Sequence, residues 1–172
     1  PEGYRTLLCY DASDRLIKAI REEGKDIKRV TSYEYDAAGN LAKVTDCNGN
    51  SIKYDYDSMN RRIRITDKEG GITRLFYDEA GNVIKYVTPQ NYDPQKDDGL
   101  GTQYRYDELN RLTEIINALG VTVQKNKYNS AGELVERIDA MQKGIEYRYD
   151  IGGRIKEIIT PGASKAGVAA QQ

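Results

Sequence analysis

Histidine is absent from the 172 residues. Without it the chain lacks the side chain that titrates near neutral pH and the commonest metal ligand, which excludes Ser-His-Asp and Cys-His catalysis and ordinary zinc sites. Cysteine is scarce as well. Cys9 and Cys47 are too few for a disulfide framework and sit in different local contexts, so they read as separate thiols, with Cys47 in a turn and prone to dimerise on storage. No run of about 18 apolar residues occurs and no charged-then-apolar leader is seen, so no membrane insertion is expected. Neither sign of charge dominates: 26 Lys and Arg against 27 Asp and Glu leave a net charge of −1, which removes the broad attraction that a nucleic acid or an anionic membrane would require. Apolar residues are thin at 38%, too few for a conventional packed core around a buried active site, so neither an enzyme nor a bound cofactor is expected. Starting at Pro1 without Met, the chain is expected to be a piece of a longer one.

What the chain has instead is repetition. A Tyr-Asp pair recurs as Tyr10-Asp11, Tyr35-Asp36, Tyr56-Asp57, Tyr77-Asp78, Tyr106-Asp107, Tyr128-Asn129 and Tyr149-Asp150. The spacings of 25, 21, 21, 29, 22 and 21 define a period of 21, and the longest contains an enlarged polar loop at about 89–100. Four positions after each anchor Tyr stand Asp14, Gly39, Asn60, Gly81, Asn110, Gly132 and Gly153. All belong to the residue types that tolerate φ > 0, and an Asx residue followed three positions later by such a residue marks a three-residue hairpin loop closed by a bulge. Gly39, Asn60, Gly81, Asn110, Gly132 and Gly153 are therefore assigned as structural turn residues. A second turn of the same chemistry spans Asp46–Gly49, Asp67–Gly70 and Asn117–Gly120; the segment from Asp139 to Gln142 departs from it and is expected to use Gly144 instead.

Tyr33-Glu34-Tyr35, Tyr54-Asp55-Tyr56, Tyr104-Arg105-Tyr106 and Tyr147-Arg148-Tyr149 alternate aromatic with charged residues, the period of a strand with one buried face. Eight positions after the anchor every unit is charged, at Lys18, Lys43, Arg64, Lys85, Glu114, Glu136 and Glu157, a column expected to face water. The fold class is thus all-β: an antiparallel β-hairpin repeat array of about seven two-stranded units over residues 1–161. Residues 162–172, built of Gly, Ala, Ser, Lys, Val and Gln, read as a disordered tail or a cloning remnant.

The string Tyr-Asp-x-x-Gly-Arg/Asn-Leu, present as Tyr35 to Leu41 and with Ile or Val closing as Tyr149 to Ile155 and Tyr77 to Val83, resembles the YD-repeat (Rhs) family over roughly Tyr4 to Pro161. The resemblance implies a β-sheet spiralling into a hollow shell, of which seven units make a curved partial turn. It also implies a secreted or cell-surface parent whose shell encloses a C-terminal toxin or effector domain, so the partners are the remainder of the same polypeptide shell and that enclosed domain. Nothing here matches the aspartate-containing autoproteolytic segment of the bacterial members, and Asp97-Asp98-Gly99 lacks its surrounding motif.

Eleven of the 14 tyrosines lie at the anchor or two residues before it. Tyr33, Tyr35, Tyr54, Tyr56, Tyr104, Tyr106, Tyr147 and Tyr149 would form ladders that fill a half-buried sheet face. The alternative reading is a cell-surface module whose Tyr-rich face stacks on carbohydrate or meets a partner surface. Asn91, Asp93, Gln95, Asp97 and Asp98 gather oxygen ligands in one loop, but Gly99 falls one position late for an EF-hand and no Glu closes the site, so no metal is assigned. A sheet of this kind leaves two edge strands, through which isolated chains are expected to associate.

Overall fold

The computed structural model describes residues 4–23 and 27–161. The proposed tail at 162–172 lies outside the described residues. In chain order the strands are β1 (Tyr4–Tyr10), β2 (Leu16–Glu23), β3 (Ile27–Tyr35), β4 (Leu41–Thr45), β5 (Ser51–Tyr56), β6 (Arg62–Thr66), β7 (Ile72–Tyr77), β8 (Val83–Val87), β9 (Tyr92–Asp93), β10 (Asp98–Gly99), β11 (Thr102–Tyr106), β12 (Leu112–Ile116), β13 (Thr122–Tyr128), β14 (Leu134–Asp139), β15 (Gly144–Tyr149) and β16 (Ile155–Ile159). A 3-10 turn, Pro89–Asn91, precedes β9.

Two compact units divide the chain, one of Pro1–Phe76 with Tyr86–Gly99 and one of Tyr77–Lys85 with Leu100–Gln172. In each, strands pair antiparallel with their chain neighbours, so the fold is all-β and every connection is local. In the first unit the enlarged loop forms its own ribbon, β9 with β10.

The turns follow from the Asx residues. Asp36 N–H donates to Asn40 O at 2.9 Å and Gly39 N–H to Asp36 O at 3.1 Å, and the same pair of bonds closes the other turns that begin at Asp11, Asp46, Asp57, Asp67, Asp78, Asp107, Asn117, Asn129, Asp139 and Asp150. The third loop residue must then turn left-handed: φ is +91° at Gly39, +59° at Asn60, +90° at Gly81, +59° at Asn110, +87° at Gly132 and +74° at Gly153, with Asp14 at +57°. A register shift marks the bulge just before the anchor in these hairpins, for example between Glu34 and Tyr35.

Two expectations need correction. In the turn from Asp139, the left-handed residue is Gln142 itself, at φ +62°, not Gly144. Gln142 N–H bonds Asp139 O at 3.0 Å, and the Asp139 carboxylate accepts from Met141 N and Lys143 N, so this network holds a residue with no intrinsic liking for that region. Gly144 opens β15, where a Cβ would lie 3.0 Å from Glu136 Oε1. The second correction concerns the charged column. Lys18 and Glu157 are exposed, but Lys43, Arg64, Lys85, Glu114 and Glu136 are half-buried. The strands that carry these five side chains each lie between two others, and the long side chains directly across the ladder cover one another.

Hardly any core exists in the usual sense. Val87 and Ile116 are the buried apolar side chains among the described residues, and the buried polar Asn126 is satisfied by Gln124 and the Leu112 carbonyl. Rungs of half-buried Tyr and Ile take the place of a core, as when Tyr54 lies opposite Ile65 and Tyr104 opposite Ile115.

Candidate functional site

The Asp of each Tyr-Asp pair organises its turn with both carboxylate oxygens. Asp57 Oδ1 accepts from Met59 N and Arg61 N, each at 2.9 Å, while Oδ2 accepts from Arg61 Nε at 2.7 Å. Asp11, Asp107 and Asp150 do the same with Arg15, Arg111 and Arg154. In Asp36 and Asp78 the partner is an amide, Asn40 or Asn82. Where the acid is replaced by Asn129, the partner becomes acidic: Asn129 Nδ2 donates to Glu133 Oε2 at 2.7 Å. These bonds hold the carboxyls below their ordinary range. For Asp57 the chief cause is the Arg61 backbone N–H, aided by the guanidinium and opposed by desolvation; for Asp36 it is the Asn40 amide.

The anchor Tyr reaches backwards. Tyr35 Oη donates to Leu16 O at 2.9 Å, Tyr56 to Leu41 O at 3.0 Å, Tyr106 to Val83 O at 3.1 Å, Tyr128 to Leu112 O at 2.9 Å and Tyr149 to Leu134 O at 2.9 Å. Each acceptor stands six residues after the preceding anchor, so every one of these hydroxyls fastens its repeat to the one before through main chain alone. Guanidinium groups cover some of the same rings: Arg15 lies 4.8 Å from the Tyr35 centroid and Arg111 4.8 Å from that of Tyr128. Further amide bonds tie neighbouring turns, Asn40 to Asn60 at 2.8 Å and Asn82 to Asn110 at 2.9 Å.

The opposite sheet face carries cross-strand ion pairs. In the first unit Lys43 meets Glu34 at 2.8 Å and Arg64 meets Asp55 at 3.4 Å. The second unit inverts the polarity, with Glu114 on Arg105 at 2.9 Å, Glu136 on Lys127 at 2.6 Å and Glu157 on Arg148 at 2.9 Å. Such pairs add little energy each but penalise a slipped register. Like charges stand directly opposed at several positions, Lys43 against Lys53 and Glu136 against Glu146 among them, and in one of these Arg64 faces Arg74. The enlarged loop answers it with Asp97, whose Oδ1 accepts from Arg64 Nη2 at 2.5 Å and from Tyr92 Oη at 2.6 Å, and whose Oδ2 accepts from Arg74 Nε at 3.2 Å. Desolvation pushes the Asp97 carboxyl up, but the Tyr92 hydroxyl and the two guanidiniums together outweigh it and bring the carboxyl down to about 2. A Cβ at Gly99 would collide with the Asn91 carbonyl, so the loop closes only with glycine there.

The candidate tyrosines Tyr33, Tyr35, Tyr54, Tyr56, Tyr104, Tyr106, Tyr147 and Tyr149 are all half-buried in the sheet. Arg62 lies 4.6 Å from the Tyr54 ring centroid, so that ring has a cation on one side. Of the loop oxygens, Asp93 accepts from Gln95 N at 3.0 Å and pairs with Lys96 at 3.1 Å, apart from the Asp97 clasp. No group of three or more acidic or thiol side chains able to hold a metal occurs among the described residues. Cys9 and Cys47 are free and exposed. Sequence reasoning missed the hydroxyl-to-carbonyl bonds and the partner five residues after the anchor. The pairing of the Asn129 anchor with Glu133, where other units have Arg or Asn, was a signal for the latter.

Repeated hairpins closed by Asx turns and fastened by an anchor Tyr define an antiparallel Tyr-Asp repeat protein. Residues 35–72 match the RHS Repeat family. Double-stranded DNA deaminase toxin A of Burkholderia cenocepacia (strain H111) is 29% identical over 127 residues, covering 74% of this chain and 8% of that protein. Among solved structures, TcdB2-TccC3 without its hypervariable C-terminal region aligns with a TM-score of 0.70 at 20% identity, over 92% of this chain and 9% of that one. The Photorhabdus luminescens Tc holotoxin pore aligns with a TM-score of 0.68 at 20% identity, over 91% and 9%. At that identity the structural likeness is one of fold, and the chain spans less than a tenth of each relative's length. The chain thus resembles the YD/Rhs repeat family, whose repeat matches residues 35–72, and shares the fold of the Tc toxin shells.

Proposed function

We propose that this chain is a stretch of wall in a larger secreted or cell-surface Rhs protein, and that the wall encloses a C-terminal toxin or effector domain. One observation carries the reading: five of the seven anchor hydroxyls, those of Tyr35, Tyr56, Tyr106, Tyr128 and Tyr149, fasten their repeat to the preceding one through a main-chain carbonyl. That joint depends on no particular neighbouring side chain, so units add in series and extend a sheet one layer thick. The scarcity of buried side chains suits a wall more than a substrate pocket. Its role is structural and its partners are the rest of the same polypeptide and the enclosed domain. The relatives support the assignment by name, one being a toxin and another a complex whose C-terminal region is hypervariable. In the isolated chain, β1 pairs only with β2 and β16 only with β15 among the described residues, and these free edges lead to self-association.

The test is protection of the passenger in the parent protein. The C-terminal domain should resist added protease in the wild type and become digestible when Tyr54→Ala and Tyr56→Ala remove two rungs. Saturable binding of the isolated chain on a glycan array, with the passenger unaffected by the rung mutations, would replace the wall by a carbohydrate-binding face.

A further inference from the structure

Among the described residues the hydroxyl-to-carbonyl pattern has no counterpart for one donor on β1 and one acceptor on β16. Tyr10 is an anchor Tyr on β1, 55% exposed, and its hydroxyl has no hydrogen-bond partner among the described residues. Ile155 stands six residues after the last anchor, Tyr149, at the position whose carbonyl accepts a Tyr hydroxyl at Leu16, Leu41, Val83, Leu112 and Leu134. Ile155 lies on β16, opposite Tyr149, and is 54% exposed. We propose that β1 of one copy of this chain adds to β16 of another, head to tail, with Tyr10 Oη donating to the Ile155 carbonyl.

The register of that junction is set by the junctions already built. At five of them the residue eight after an anchor lies opposite the residue three before the next: Lys18 with Ser32, Lys43 with Lys53, Arg64 with Arg74, Glu114 with Lys125 and Glu136 with Glu146. The adjoining rung pairs Val44 with Ile52, Ile65 with Thr73 and Arg137 with Ile145. Continued across the two copies, Glu157 lies opposite Leu7, Ile158 lies opposite Thr6, and Arg5 sits diagonally within reach of the Glu157 carboxylate. The apolar side chains left uncovered on the two edges, Leu8 and Tyr10 on one and Ile155 and Ile158 on the other, come onto a shared face. Because the two surfaces differ, the contact is heterologous and produces open chains of copies instead of closed dimers.

This inference rests on the edge-pairing reading above, and the two fail in different ways. Thr6→Cys and Ile158→Cys are made separately, each with Cys9→Ser and Cys47→Ser, and directly opposed strand positions lie within disulfide reach. Mild oxidation of the mixture should give covalent Thr6→Cys/Ile158→Cys dimers, while each protein alone should stay uncrosslinked. Homodimers from either variant alone would keep edge pairing and overturn the head-to-tail polarity. A monomer by sedimentation, with no cross-link in the mixture, would overturn edge pairing altogether, leaving the wall to the passenger-protection test. Tyr10→Phe, checked as folded by circular dichroism, should weaken association about three- to tenfold, the worth of one hydrogen bond. Unchanged association would remove Tyr10 from the contact.

Discussion

Tyr54 and Tyr56 lie two residues apart on the same strand and face, yet their hydroxyls do different things. Tyr56 Oη donates to Leu41 O at 3.0 Å across the repeat junction, whereas the Tyr54 hydroxyl has no hydrogen-bond partner among the described residues. Replacing each by Phe keeps the ring and removes one oxygen. For Tyr56→Phe the loss is one part-buried hydrogen bond, about 0.5–1.5 kcal/mol, with the upper part of that range reached if no water replaces the hydroxyl at the Leu41 carbonyl. For Tyr54→Phe the cost should be close to zero, because the ring and its Arg62 contact remain. In a chain of this size about 1 kcal/mol lowers Tm by about 2–4 °C. Urea melts of both variants, followed by circular dichroism, measure the difference directly. Equal melting of the two, or a larger loss from Tyr54→Phe, would refute the idea that the anchor hydroxyl joins repeats.

A Cβ at Gly81 would meet only open space, but φ there is +90°, so Gly81→Val should cost about 1–2 kcal/mol from backbone strain alone, while Gly81→Asn should be nearly neutral in the same melt. Asp57→Asn alone removes the carboxylate that Arg61 Nε binds. Adding Arg61→Glu reproduces the Asn129–Glu133 arrangement and should recover stability in a double-mutant cycle, a result that simple additivity would contradict. Asp97→Ala should expose the Arg64–Arg74 opposition and cost about 1–3 kcal/mol, with faster proteolytic cutting in the enlarged loop; Asp93→Ala should do neither. The carboxyls of Asp36, Asp57, Asp78, Asp107 and Asp150 are all depressed below 3.8, so the unfolded chain takes up protons first. Their stabilisation is present above about pH 4 and is lost as pH falls through the lower folded values, which urea midpoints between about pH 6 and 2.5 should register as a plateau followed by a decline.

The fold could be read from the sequence because its constraints are local and repeated. A left-handed turn position restricts residue choice to a few types, and a strand with one covered face alternates, so both leave columns at the period of 21. Gln142 shows the limit: where the surrounding bonds impose the conformation, composition carries no mark of it. The charged column misled for a related reason. Charge at Glu114 indicates a polar setting but not its depth, and only the register, which places Arg105 and Lys125 on either side, brings that side chain down to 15% exposure. Arg64 likewise looked like an independent surface residue, since nothing in the sequence links it to Asp97, 33 positions away. The anchor Tyr was visible as a column, but its hydroxyl's acceptor is a main-chain atom, and a carbonyl has no sequence signature.

The central claim is that this segment is wall, and imaging the full-length parent by single-particle cryo-electron microscopy tests it most directly. The account predicts that residues 4–161 run within a continuous sheet, β1 and β16 both paired to further repeats, with density for a C-terminal domain on the enclosed side. A map in which this segment stands as a separate arm with both edges free and its Tyr-rich face turned to solvent would contradict it.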